Sequence, residues 1–271
     1  MLRFVRIRVS GRVLGIAAVL TAAATLVGAA VPAQAATLGW RQVFSKHYGA
    51  AGDYSIYGAV VAPSRSSAWM LGGADESGGN GTTQRALAVH WNGHAWSSTF
   101  LLPATSYVIA ASADSATDVW AVTFLGGYVL HWNGSKWLVA KHLTGAGELT
   151  GVTALSPANV WVAAVANGGG GPAYLVHFNG AGWTRIKVPG SGIQVNSPAP
   201  DGLGGLWLTG RTTNGTGYFI HRGAGGTWSA FAANGLPLEL APIPGTRSLW
   251  GAGSKQVTTN RSAVIWAYGT V

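Results

Sequence analysis

Beyond its first thirty-odd residues the chain is written in short apolar runs, many alternating with polar positions and bounded by Gly, Asn, Asp, Ser or Pro. That is the pattern of strands and turns. No long stripe at the 3.6-residue helical spacing follows the leader. One stretch shows the unit clearly. YVIAASA (residues 107–113), VWAVT (119–123), GYVLHW (127–132) and KWLVA (136–140) predict four successive antiparallel strands. Asn133-Gly134 lies between the last two and predicts a two-residue hairpin turn of type I′, which needs positive φ.

The unit repeats. A second-strand Trp recurs in SAWMLGG, DVWAVT, NVWVAAV, GLWLTG and SLWGAG, at Trp69, Trp120, Trp161, Trp207 and Trp250, with separations of 51, 41, 46 and 43 residues. A hairpin motif recurs in register with it: HWNGHAW from His90, HWNGSKW from His131 and HFNGAGW from His177. His221 and Trp228 keep the register with a loop one residue longer, and Trp266 is expected in the histidine position of the fifth unit. The longest separation is read as a loop, ADESGGNGTTQR (residues 74–85). A period of 40–50 residues with four short strands per unit predicts an all-β, five-bladed β-propeller. The fifth unit has no fourth strand after Tyr268. Leu38-Gly39-Trp40-Arg41 is expected to supply it, so that an N-terminal strand closes the last blade. All 13 Trp then fall on repeat positions.

The pattern D-V-W-A-V … H-W-N-G-x-x-W resembles the exported β-propeller repeats of actinobacterial proteins. The first unit, with Gly72-Gly73 closing its second strand, resembles a kelch-type blade. The run DGLGGLW from Asp201 to Trp207 is similar to Asp-box and sensor-propeller repeats, and Ser112-Ala113-Asp114 with Trp120 is a version stretched by one residue. The resemblance spans about residues 37–271 and implies the fold. Such propellers host lectins, glycosidases, sensors and adhesion modules alike, so it leaves the function open.

The N-terminus changes the cellular picture. MLRFVRIRVSGR carries four arginines and no acid, an apolar run follows from Val13 to about Ala30, and Ala33-Gln34-Ala35 ends it. This reads as a Sec-type secretory signal peptide over residues 1–35, ahead of a single domain over 36–271. The Ala-x-Ala end favours cleavage over retention as an anchor, and no later run is long enough to span a bilayer. Without the leader, Lys+Arg drops from 17 to 13 against 8 Asp+Glu, and the formal charge from +9 to +5. The remaining cations are scattered, which argues against a nucleic-acid partner. With no Cys there is no disulfide, and a mature chain of about 236 residues buries a core without one. A secreted, monomeric protein without membrane insertion is expected.

Most chemistry is excluded residue by residue. The histidines of the repeat lie on different blades and cannot converge on one metal. They are expected to be packed scaffold groups, and no metal or cofactor is predicted. NGGGGP (residues 167–172) lacks the context of a phosphate loop. Asp114, Asp118 and Asp201 sit at turn positions, where Asp bonds its own backbone. What remains once the repeat is subtracted is Asp53, Tyr54, Tyr107, Glu148 and Glu239. These are the candidate ligand-binding residues, expected just before or early in the first strands of their units, at the face formed by the loops entering them. They suit a binding module that recognises a glycan, a cell-envelope polymer or a protein. Two other readings stand beside it: a structural envelope protein with no small-molecule site, and a glycoside hydrolase or lyase using Asp53, Glu148 and Glu239.

Overall fold

The repeat becomes five antiparallel sheets in a computed structural model, which describes residues 41–49, 53–78, 81–101, 106–145, 147–166, 171–257 and 260–270. The first sheet holds β1 (Ser55–Ser64), β2 (Ser67–Gly78), β3 (Gly81–Trp91) and β4 (Trp96–Phe100). The second holds β5 (Val108–Ser115), β6 (Asp118–Thr123), β7 (Tyr128–Trp132) and β8 (Trp137–His142). The third holds β9 (Glu148–Ser156), β10 (Asn159–Val165), β11 (Ala173–Phe178) and β12 (Trp183–Lys187). The fourth holds β13 (Ile193–Pro200), β14 (Leu206–Thr212), β15 (Gly217–Arg222) and β16 (Trp228–Ala232). The fifth has three strands among the described residues: β17 (Leu236–Pro242), β18 (Leu249–Val257) and β19 (Asn260–Tyr268). In every sheet the strands pair in chain order, and the first strands of all five line one central cavity of about 900 Å³.

The predicted all-β repeat is therefore present, with three corrections in its details. The Asn-Gly hairpin is not a two-residue type I′ turn. Trp91 pairs with Trp96, so the loop has four residues, and among them only Gly93 has positive φ, at 92°. Asn92 works through its side chain: Oδ1 accepts the backbone N–H groups of His94 and Ala95. Asn133 and Asn179 do the same for their own loops. Residues 74–78 and 81–85 are not a loop. They prolong β2 and β3 into a long hairpin in which Ala74 pairs with Arg85 and Asp75 with Gln84. Finally, Trp266 does not stand in the histidine register. Trp250 pairs with Ala267, and Trp266 pairs with Gly251. A shift of one residue reverses the face of a strand, and Trp266 accordingly turns toward Phe219 of the fourth sheet.

The core lies between consecutive sheets. Trp69, Leu71 and Ala88 of the first meet Val108, Val119 and Leu130 of the second. Trp120 and Val122 meet Val152, Val160 and Val176. Trp161 and Val165 meet Val195, Leu206 and Leu208. Trp207 meets Leu249 and, less deeply, Leu240. Each buried indole contributes about 5 kcal/mol of gross apolar transfer. On the other face of the first sheet, Phe44 and Tyr48 cover Leu87 and Val89. Residues 41–48 form no strand. The expected leader, and Leu38, Gly39 and Trp40 of the expected closing strand, lie outside the described residues.

Candidate functional site

The repeated polar residues assemble into one device copied four times. The imidazole of His131 stacks on Trp120 at 4.1 Å, and its Nε2 donates to Asp118 Oδ1 at 2.7 Å. Trp120 Nε1 donates to the same oxygen at 3.1 Å. In the third sheet Asn159 Oδ1 takes the bonds from Trp161 Nε1 (2.8 Å) and His177 Nε2 (2.9 Å), with the rings 3.8 Å apart. In the fourth, Asp201 Oδ2 accepts from His221 at 2.8 Å, while Oδ1 accepts the N–H groups of Leu203 and Gly205. In the first, Ser67 takes the acid's place beside His90, which stacks on Trp69 at 4.0 Å. Asp201 is thus the turn acid that its position predicted, whereas Asp118 opens strand β6 and faces the imidazole.

These are packing groups: each imidazole bonds internally, while Trp69 Nε1, Trp207 Nε1 and Asp118 Oδ2 are buried with no partner among the described residues. Burial lowers the proton affinity of His90. It does the same for His177, where the Arg222 guanidinium adds repulsion. Burial pushes the Asp201 carboxyl up, but the His221 bond and two backbone N–H bonds outweigh it and hold it below the usual carboxylate range. Among the described residues no group of three His, Cys, Asp or Glu is placed to share a metal ion.

The candidate residues left outside the repeat are not all brought together. Tyr54 and Tyr107 are. Each immediately precedes the first strand of its sheet, and both line one cavity of about 220 Å³ with Ile56, Gly73, Asp75 and Gln84. Tyr107 is held by a stack on Phe124 at 5.5 Å. Gly73 lets it approach, since a Cβ there would lie 2.5 Å from Tyr107 Cβ. Tyr54 is well exposed, and its carbonyl accepts the Asp75 N–H at 2.6 Å, tying it to the long hairpin. Asp75 and Gln84 face each other across β2 and β3. Reading residues 74–85 as a loop misses them. The signal in the sequence is Gly-Gly-Asn-Gly with Asp75-Glu76 before it and Thr-Thr-Gln after it, two polar stretches of matching length.

The other three stand apart. Asp53 precedes Tyr54, with its carboxylate over Gly49, and is not among the residues lining that cavity. Glu148 opens β9, pairs with Val165 and lines none of the cavities described here. Glu239 sits inside β17, on the central cavity, and its Oε2 accepts from Ser197 Oγ at 2.9 Å. Ser197 also accepts the Leu240 N–H, and it is the one described non-glycine residue with positive φ, 49°. That serine is a clasp between the fourth and fifth first strands.

No family model matches the chain, and no curated protein matches it in sequence. Its likeness is to solved structures. One is the β-propeller domain of Cps50 (Swd1) from Myceliophteria thermophila, at 11% identity and TM-score 0.54, covering 74% of this chain and 66% of that one. A second is the GH74 xyloglucanase of Xanthomonas campestris, at 13% identity and TM-score 0.55, covering 78% and 36%. A third is the SapL1 lectin in complex with alpha methyl fucoside, at 15% identity and TM-score 0.50, covering 82% and 78%. The fold is that of a β-propeller. The chain spans about two thirds of the first of these proteins and about a third of the second.

Proposed function

We propose that this protein is an exported recognition module that binds a glycan or cell-envelope polymer without cleaving it, at the cavity between Tyr54 and Tyr107. The observation that carries the reading is the makeup of that cavity. It offers two phenol rings, each just ahead of a first strand, and one carboxylate and one carboxamide on the paired strands β2 and β3. Aromatic faces pack the apolar side of a sugar ring, while Asp75 accepts from its hydroxyls and Gln84 both donates and accepts. At about 220 Å³ the cavity is smaller than the ~300–1,000 Å³ of an enclosing ligand site, which suits one sugar unit presented from the surface. A hydrolase needs two carboxyl groups about 5–10 Å apart across the scissile bond, and Asp75 is the one carboxylate lining this cavity. The glycan-binding lectin and the xyloglucanase among the similar structures make carbohydrate a reasonable ligand class for the fold, no more.

Residues 1–35 are proposed to direct secretion, and the five sheets to form a five-bladed propeller completed by the segment that follows the leader. N-terminal sequencing of the secreted protein should begin at Ala36; recovery with Met1 in the membrane fraction overturns the export reading. The site is tested by screening the full chain against a glycan array and isolated wall polysaccharides. Tyr54→Ala and Asp75→Asn should each weaken the strongest hit by about tenfold, the size of one lost stacking or charged hydrogen-bond contact, with melting unchanged. Turnover of a polysaccharide that Asp53→Asn or Glu148→Gln abolishes would replace binding with hydrolysis.

A further inference from the structure

The chemistry of the Tyr54–Tyr107 cavity is set where one sheet outruns its neighbour. Along β2 the side chains of Trp69, Leu71, Gly73 and Asp75 belong to one face, because alternate residues of a strand do. Opposite them on β3 stand His90, Ala88, Ala86 and Gln84. That face meets the second sheet: Trp69, Leu71, Ala86 and Ala88 are buried with Val108, Val119 and Leu130. The second sheet stops first. Its β5 begins at Val108 and its β6 ends at Thr123, while β2 and β3 run on to Gly78 and Gly81. The next pair on this face beyond Gly73 and Ala86 is Asp75 with Gln84. The stripe thus turns from apolar to polar where its cover ends, and the two tyrosines flank the opening. Asp75 is half-buried there.

We propose that Asp75 is the counter-ion for a sugar bearing a free ammonium group, so that the cavity selects de-N-acetylated amino sugars over their acetylated and neutral counterparts. The inference rests on the glycan-binding reading above and adds the class of sugar. Asp118, Asp201 and Glu239 engage their carboxylates with His131, His221 and Ser197. Asp75 has no such side-chain partner among the described residues; beyond the strand pairing, its N–H bonds the Tyr54 carbonyl. A half-buried carboxylate left unpaired is costly, and an opposite charge relieves it best. None of the residues lining the cavity is cationic. Arg85, the residue after Gln84, pairs with Ala74 and so lies on the other face, its guanidinium 3.7 Å from the centre of the Phe100 ring. A sugar hydroxyl would return one neutral donor to Asp75. An ammonium brings three charged donors, and its attraction grows as the dielectric falls. Its charge also suits the phenol faces of Tyr54 and Tyr107, which present negative potential. An acidic sugar would be repelled by the same carboxylate. The chain's excess of Lys and Arg is scattered, and exposed charges are screened beyond about 8 Å at physiological salt, so the group in contact decides.

The test is calorimetric titration of the full chain at about pH 6, where amine and carboxylate are both charged, with tetramers of glucosamine, N-acetylglucosamine and glucose in one common linkage. The glucosamine tetramer should bind about tenfold more tightly than either of the others, the size of one charge-assisted contact. Asp75→Asn keeps the shape and removes the charge. It should bind all three alike and melt as wild type does, and Asp75→Ser should show the same loss of preference. A preference that survives both substitutions overturns the counter-ion assignment. Strongest binding to a sugar without an amine, in these titrations or on the glycan array, with loss in Tyr54→Ala, leaves the glycan site standing and overturns the ammonium selection. Equally tight binding of tetralysine would show that the cavity reads charge and not a sugar, which overturns it too. No binding of any glycan is instead the failure of the glycan reading, and it removes this inference with it.

Discussion

Sheets two and five share a motif and differ in what surrounds it. In both, a Trp sits in the second strand, and the residue opposite it in the third strand is fixed by register. In the second sheet that residue is His131, hydrogen-bonded to Asp118, and the stacked pair is covered by Phe178 and Trp183 of the third sheet. Trp120 is left 2% exposed. In the fifth sheet the opposing residue is Ala267, no imidazole stacks on Trp250, and no described sheet covers it. Trp250 is 45% exposed and shares a shallow apolar surface with Ala252 and with Ile265, which is 73% exposed. The lesson is that the repeated Trp does not carry a fixed contribution. Its burial comes from the next sheet, as expected where each repeat can bury its face only against a neighbour.

The largest way to break this comparison is truncation of the two tryptophans. Trp120→Ala removes an indole packed on both sides and strands the Asp118 and His131 partners. A loss of about 3–5 kcal/mol is expected, and at roughly 2–4 °C per kcal/mol for a domain of this size the melting point should fall by about 10 °C. Trp250→Ala should cost about 1 kcal/mol or less, in line with half-exposed surface positions. Thermal melts of the two variants decide it. Equal losses would mean that the Trp250 face is covered in solution and that the two sheets differ less than their surroundings here indicate.

The same contrast shows what could be read in the chain beforehand. The second-strand Trp, the histidine register and the four-strand unit are legible because each is a local pattern repeated at a fixed spacing, and packing between like units demands that spacing. The fifth unit is where the reading slips. Aligning VIWAYG by its Trp puts Trp266 where the strand puts Ala267, because identity of residue is a weaker guide than distance from the turn when a one-residue shift reverses every side chain. Residues 74–85 read as a loop because Gly, Ser, Thr and Asn carry no apolar alternation, yet their backbones pair from Ala74 to Gly78. That hairpin hides Asp75 and Gln84, half of the cavity's polar chemistry. Tyr54 and Tyr107 are found by subtraction, being aromatic and outside the repeat. Glu239, reached by the same subtraction, lies inside β17 on the central cavity and not with the two tyrosines.

The smallest expected effect concerns acid, and it separates the first, third and fourth sheets from the fifth. His90 and His177 have proton affinities lowered by burial, with Arg222 contributing at His177. Below the ordinary histidine value of about 6.5, the unfolded chain therefore takes up protons that the fold does not, and stability falls as the pH drops through that value. Asp201 acts in the same direction further down. Its folded carboxyl titrates below the usual range, so its contribution is present above that range and is lost as the pH falls through the folded value. All three signs agree, and none of the three groups lies in the fifth sheet. Melting points recorded from neutral to mildly acidic pH should decline in two stages, a histidine stage and then a carboxylate stage. His177→Gln keeps a hydrogen-bonding group beside Asn159 but cannot take the proton. It should shrink the first stage by a few degrees and leave the second intact. A first stage of unchanged size in that variant would show that the imidazole packed on Trp161 does not sense pH, and that its stacking alone distinguishes its sheet from the fifth.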